Sequence, residues 1–275
     1  MYEELISVDS LPPMSATASR LLAMASDPDV EIEALAATIA QDPPLTAKVL
    51  GIANSAYYAP RRPVLTVKDA IIRVLGLRMV RNLSLGLALS GPIDSVNCER
   101  FDPTRYWILA LGTADLAGGL ARAATVVDGP DPDAVYLVGL LHNLGELLLV
   151  HLRPNEMNQI LGELAERPEQ DPVEIERAAF GIDRWGAGAL LARHWELPAV
   201  VGDSIEQMAT ANSSSDMSPM VYLLSAARCW IEGVVAGGSD PLTVVGVDEA
   251  YCENRSASFV EGFAALKTIA TSLRN

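Results

Sequence analysis

VYLVGLLHNLGELLLVHL, residues 135–152, is the most apolar stretch of the chain, and only His142, Asn143, Glu146 and His151 interrupt it with polar side chains. A membrane-spanning helix needs about 20 largely uncharged residues. This stretch is too polar for that and reads as a buried helix of a soluble protein, so no membrane insertion is expected. A polar pair among leucines costs free energy unless it is hydrogen-bonded or bound to a metal. His142 and Asn143 therefore either satisfy helix neighbours inside the core, or His142 is a metal ligand together with its neighbour.

The rest of the chain supports a helical frame for this segment. Of 275 residues, half are hydrophobic and few are aromatic, and apolar positions recur at three and four rather than two. The expected helices start after Pro12-Pro13 and run to about Ala25, where Asp27-Pro28 closes the first. The next cover Glu31 to Ala40 and, after Gln41-Asp42-Pro43-Pro44, continue to Ala53. Thr66-Val67-Lys68-Asp69 has the form of a capping box. It opens a helix to Leu75, where Gly76 is a stop, and Leu77 to Leu89 follows with one apolar stripe. A glycine- and proline-containing connector near 91–102 separates two parts. Helices are expected beyond it near 103–125, 133–152, 154–166, 172–180, 183–195, 198–210, 217–236 and 256–273. Loops at Asp128–Pro132, Asn212–Asp216 and Gly237–Pro241 punctuate them, and Leu242–Val247 could form a short strand. The expected fold is all-α, with two packed helical lobes at 1–95 and 96–275.

Composition narrows the function. Thirty-five acidic against 20 basic residues give a net charge of −15, which disfavours duplex DNA as a partner. Three separated cysteines without a CxxC pair fit a reducing compartment, and MYEELISVDSLPPM lacks the basic and apolar regions of a signal peptide. A cytoplasmic location is expected. The chain has no GxSxG elbow, P-loop or HExxH motif. Gly186-Ala187-Gly188 reads as close helix packing.

One stretch breaks the acidic trend. Between Pro43 and Ile93 stand seven basic residues, Lys48, Arg61, Arg62, Lys68, Arg73, Arg78 and Arg81, against Asp69 alone. They form either a face for an anion or acidic partner, or a set of ties to carboxylates of the second lobe. Tyr57 and Tyr58, beside this stretch, would either join a recognition surface or pin the connector to the core. The four tryptophans read as core residues, Trp185 as a filler next to Arg184.

At LLHNLG (140–145) the chain resembles the LLHDIG signature of the HD superfamily of metal-dependent phosphohydrolases, and more closely its HDOD (HD-related output domain) branch. Leu11-Pro12-Pro13-Met14 is similar to the opening LPPLP of that branch. Gln41-Asp42-Pro43-Pro44-Leu45-Thr46 resembles its QDPxLT, and Ala53-Asn54-Ser55-Ala56-Tyr57-Tyr58 its ANSAYY. Ala70-Ile71-Ile72-Arg73-Val74-Leu75-Gly76-Leu77 and Trp195-Glu196-Leu197-Pro198 continue the likeness, which covers about 8–210. Residues from about 211 match less well.

The resemblance implies a two-lobed HD-like helical bundle, and it also implies a lost metal site. An active site of this superfamily takes histidines from several helices and an aspartate beside one of them. Here Leu109 stands for the first histidine, His142-Asn143 for the His-Asp pair, Arg184 for a later histidine and Gln207-Met208 for the last pair. Glu146 stands where active relatives usually carry lysine. Asn143 lacks the charge that bridges cations, and Arg184 adds a repelling one. His151 and His194 match no motif position. Asp183 and Asp203 read as a helix cap and an exposed charge.

The resemblance further implies a non-catalytic bacterial signalling or regulatory protein that acts by protein contact and takes no cofactor or metal. Its partners would be a sensor kinase, a response regulator or a cyclic-di-GMP enzyme. Two alternatives stand beside it: a nucleotide sensor in which Arg184 or the basic stretch holds the phosphate, and a residual metal-dependent phosphohydrolase built on His142.

Overall fold

An oxygen-bearing side chain caps most of the described helices, and proline stands in the first turn of several. The structure, a computed structural model, describes residues 10–25, 27, 29–124, 129–209, 217–238 and 240–274. Met1–Asp9, Pro28, Asp128 and Asn212–Asp216, which read from sequence as terminus or connectors, lie outside the described residues. Helices α1 (Ala16–Ala25), α2 (Ile32–Ala40) and α3 (Pro43–Ala53) come first. Asp42 accepts from the Leu45 amide at 3.0 Å and caps α3, whose first turn holds two prolines that need no amide partner there. The capping box at 66–69 forms as expected: Thr66 Oγ1 accepts from the Asp69 amide at 3.0 Å and opens α4 (Val67–Ala70). The helix then widens into π-helical turns over Ile71–Leu75 and ends at Gly76, with φ of 81°. After it runs α5 (Leu77–Ser90).

The second group begins with α6 (Pro103–Ala123), which is apolar around nearly its whole circumference and buried along its length. Around it pack α7 (Pro132–Leu141), α13 (Pro219–Val235) and α14 (Glu249–Ser272), with α8 (Leu144–Leu152), α9 (Pro154–Glu166), α10 (Pro172–Phe180), α11 (Arg184–His194) and α12 (Ala199–Met208) outside them. The two groups share one continuous hydrophobic core. Helix α5 packs on α7, α14 returns onto α3, and Trp195 Nε1 donates to the Pro12 carbonyl at 2.9 Å.

Three expectations need correction. The helix over 133–152 is two helices, broken at His142-Asn143, where Asn143 takes φ −88° and ψ 1°, a turn conformation. Leu242–Val247 is not a strand. Leu242 and Val244 anchor it in the core as loop residues, and the Val245 amide donates to the Tyr222 hydroxyl at 2.9 Å. The last helix starts at Glu249 rather than 256 because Asp248 accepts from the Tyr251 amide and caps it there. Pro132–Leu152 is long and apolar enough to cross a membrane by composition, yet 89% of its most apolar window is buried inside the protein. It is core.

Gly145 sets how closely the outer helices approach. A Cβ there would lie 1.7 Å from the Arg184 carbonyl oxygen and 2.4 Å from the Gly188 amide nitrogen, so α8 and α11 touch backbone to backbone. Gly188 therefore serves close packing, as its sequence suggested. Gly145→Ala is expected to cost more than about 3 kcal/mol or to prevent folding. By contrast, Gly51→Ala and Gly233→Ala, in α3 and α13 with open space at Cβ, should gain up to about 1 kcal/mol each. Urea denaturation of the three variants checks both directions.

Candidate functional site

The break between α7 and α8 presents His142 and Asn143 to the interior. Both are almost fully buried, at 1% and 2% exposure. His142 Nδ1 lies 2.6 Å from the Gly139 carbonyl oxygen. An oxygen acceptor there requires Nδ1 to carry the proton, which leaves Nε2 as a bare lone pair. Nε2 and both side-chain amide atoms of Asn143 have no hydrogen-bond partner among the described residues. Burial, with the positive charges of Arg228 and Arg184 adding to it, pushes the His142 pKa down to about 3, so the ring is neutral.

Helix α11 supplies the charge that dominates this region. Gly181, in the left-handed conformation with φ of 75°, ends α10 and lets the chain turn back. Asp183 then caps α11, accepting from the Trp185 and Gly186 amides at 2.9 Å each. That turn returns Arg184 to Glu176, eight residues earlier. The Arg184 amide donates to Glu176 Oε2 at 2.9 Å, Nε donates to Oε1 at 2.9 Å and Nη2 to Oε1 at 2.5 Å. On its other side, Arg184 Nη1 lies 3.4 Å from Glu146 Oε1. All three side chains are buried. Burial works against the Arg184 charge, but Glu146 and Glu176 outweigh it and raise its pKa. Burial also holds Glu176 above the ordinary carboxylate value, against the pull of Arg184.

Trp185 lies beside this cluster, stacked on His142 at 6.3 Å and carrying the Arg228 guanidinium 4.9 Å from its ring centre. Arg228 Nη2 and Arg105 Nη2 both reach Glu232 Oε1, at 2.9 Å and 3.2 Å. Together these side chains wall a cleft between α6, α9, α10, α11 and α13.

Of the residues singled out from the sequence, the structure brings His142, Asn143, Glu146, Arg184 and Trp185 to one region. Leu109 is a fully buried side chain of α6, and Gln207 is exposed on α12 while its neighbour Met208 lines the cleft. Asp203 is exposed near Arg193. Among the described residues, no three His, Cys, Asp or Glu side chains come together as a metal-binding group. Glu176, Arg228, Glu232 and Arg105 were not anticipated. For Glu176 a signal existed: it sits four residues before buried Phe180, on the apolar face of α10.

Several side chains of the basic stretch have partners close by. Arg78 crosses to Asp133 of α7 at 2.5 Å, Lys68 pairs with Glu33 at 2.5 Å, and Arg73 lies 3.9 Å from Asp69. Arg81 donates to the Asp27 carbonyl at 3.4 Å. Arg61 and Arg62 are exposed with no ion pair among the described residues. Tyr57 is tied to α6. Its hydroxyl donates to Asp115 at 2.8 Å, Asp115 also binds Arg255 of α14, and Tyr58 packs edge-on against the Tyr57 ring.

The chain is similar to known proteins along most of its length. The HDOD domain family matches residues 11–211. An uncharacterized protein of Treponema pallidum is 29% identical over 202 residues, covering 72% of this chain and 37% of that protein. A Marinobacter aquaeolei protein provisionally named for signal transduction is 28% identical with a TM-score of 0.81, over 99% of this chain and 61% of the other. A Shewanella amazonensis protein provisionally named a phosphohydrolase is 25% identical with a TM-score of 0.74, over 97% and 96%. This chain thus spans little more than a third of the curated relative and about three-fifths of the Marinobacter protein.

The charge cluster and the ring can each be tested by stability. Arg184→Met strands two buried carboxylates and should cost about 3–5 kcal/mol, whereas adding Glu146→Leu and Glu176→Leu should restore most of it. Urea denaturation of the single and triple variants measures this. For His142, the unfolded ring takes up a proton as pH falls through 6.5, while the folded ring resists until about 3. Its contribution is therefore present above 6.5 and lost as pH falls across that window. Between pH 6 and 4 the native chain should lose stability more steeply than His142→Gln, by up to about 1.4 kcal/mol per pH unit.

Proposed function

The chain belongs to the HDOD domain family, and on that premise we propose that it is a non-catalytic signalling component whose HD-type metal site is degenerate. The observation that carries the reading is the buried Arg184 guanidinium, held by Glu176 and Glu146 beside the His142-Asn143 pair. A divalent cation gains its binding energy from negative and lone-pair donors. Here a permanent cation has taken the two nearest carboxylates, and a second, Arg228, adds to the positive potential at His142. Asn143 offers a neutral oxygen where the superfamily pattern carries aspartate. Such a donor set fits a divalent metal poorly, and the same carboxylates cannot serve both.

A protein that has given up this chemistry would act through its surface. The exposed pair Arg61 and Arg62 offers an uncompensated positive site on an acidic molecule, suited to an acidic surface of a kinase, response regulator or cyclic-di-GMP enzyme. A cytoplasmic bacterial setting goes with this reading.

A second reading, residual hydrolysis, is favoured by one feature, the unpartnered Nε2 lone pair of His142. The two are separated by assaying bis(p-nitrophenyl) phosphate with manganese and with iron(II). No turnover above the protein-free blank is expected. Turnover that His142→Ala abolishes would establish the second reading and overturn the first.

A further inference from the structure

The turn into α4 and the π-helical turns after it carry two exposed apolar side chains beside a group of arginines. Leu65 is 79% exposed and Ile72 59%, and among the described residues the other large exposed apolar side chains are all valines. Both are held in place by their neighbours. Val64 is buried, and Asn54 clamps its backbone, donating to the Val64 carbonyl at 2.8 Å and accepting the Val64 amide at 2.7 Å. Val67 is buried on the other side, so Leu65 stands outward between two anchors. The π-helical turns send Ile71 and Leu75 into the core and leave Ile72 and Arg73 outside.

Arginine flanks both side chains. Arg61 and Arg62 are exposed, with no ion pair among the described residues. Arg73 Nη2 returns to the Arg62 carbonyl at 3.3 Å, and its Nη1 lies 3.9 Å from Asp69, which accepts the Thr66 hydroxyl. Those contacts gather Arg62, Leu65, Ile72 and Arg73 on one short piece of surface. Lys68 is paired with Glu33. The face thus sets Arg61, Arg62 and Arg73 against Asp69 alone, on a chain whose net charge is −15.

The chemistry favours a protein as occupant. The planar fork of arginine takes a carboxylate through two hydrogen bonds, and arginine is enriched at protein interfaces. A surface whose shape is already fixed loses little entropy on binding. A lipid surface fits less well, since it calls for about 4–8 clustered cations and would repel the acidic remainder of the chain. A second copy would bring its own charge of −15 against this one.

We propose that Arg61, Arg62, Leu65, Ile72 and Arg73 form a docking face for an acidic amphipathic segment of a partner protein. Its carboxylates would meet the guanidiniums and its apolar side chains Leu65 and Ile72. The inference rests on reading the chain as one that acts through protein contact, and adds the chemistry of the partner.

Fluorescence anisotropy with the full chain at about 150 mM sodium chloride tests it. The probe is a labelled peptide of glutamate with leucine at every third or fourth position, compared with one carrying serine for leucine. Saturable binding of the leucine peptide is expected, roughly micromolar as suits a small interface, and about fivefold tighter than that of the serine peptide. Arg61→Glu with Arg62→Glu should weaken it about tenfold or more. Tm should not change, because neither side chain has an ion pair to lose among the described residues. Leu65→Ser with Ile72→Ser should remove the preference for leucine. Arg100→Glu with Arg167→Glu, at a groove on α9, alters the net charge equally and should leave binding as it is. No saturable binding, equal weakening by the two charge reversals, or a leucine preference that survives Leu65→Ser with Ile72→Ser would overturn the face. So would tighter binding to phosphatidylglycerol vesicles, or self-association in sedimentation that Arg61→Glu with Arg62→Glu abolishes, which assign it to lipid or to a second copy. Such a failure leaves the degenerate metal site standing, whereas metal-dependent turnover would refute that site's degeneracy without changing peptide binding.

Discussion

A guanidinium out of water, between two carboxylates that are also out of water, is the constraint on which the centre of this molecule depends. Taking three charges from solvent is expensive, and only close geometry and full hydrogen bonding repay it. Arg184 meets that demand with three N–H groups on Glu176, counting its own amide, and a longer contact to Glu146. The backbone makes the geometry available. Gly181 reverses the chain so that Arg184 lies over Glu176, and Gly145 lets α8 come close enough for Glu146 to reach the same guanidinium. One side chain thereby joins helices α8, α10 and α11.

The same arrangement bears on function. A catalytic HD site gathers anionic and lone-pair donors around divalent cations, and the local potential must welcome positive charge. Here the cation is covalently part of the protein and cannot leave. Burial keeps the His142 ring neutral far below its ordinary pKa, and the fields of Arg228 and Arg184 add to that effect. On the proposed reading Glu146 stands where the family pattern carries a base, and Arg184 where it carries a metal ligand. On that same reading this charge cluster takes the place of a coordination sphere, and the adjoining cleft is walled by Arg105, Arg228 and Glu232.

Much of the fold was legible because its signals are local. Asp42 before two prolines, Thr66 three residues before Asp69, and the spacing of leucines in α5 each specify a helix without reference to the rest of the chain. The break at His142-Asn143 was not legible, because leucines continue on both sides and no periodicity marks the interruption. The strand over Leu242–Val247 was a misreading of two buried anchors, Leu242 and Val244, in a loop. At the site, Glu146, His142 and Arg184 could be found because motif positions pointed to them. Glu176, Glu232 and Arg228 lie on ordinary amphipathic helices, and only the packing of α10 and α13 against the rest gives them partners. Tyr57 shows the same limit: sequence left two roles open, and its bond to Asp115, 58 residues away, decides how the ring is used.

The central claim concerns what occupies the space beside His142. Crystals grown with millimolar manganese and measured at a wavelength where manganese scatters anomalously give the most direct answer. The account predicts no anomalous peak within coordination distance of His142 Nε2, and clear guanidinium density spanning Glu146 and Glu176. Ordered manganese at that position, with Arg184 swung away from both carboxylates, would contradict it.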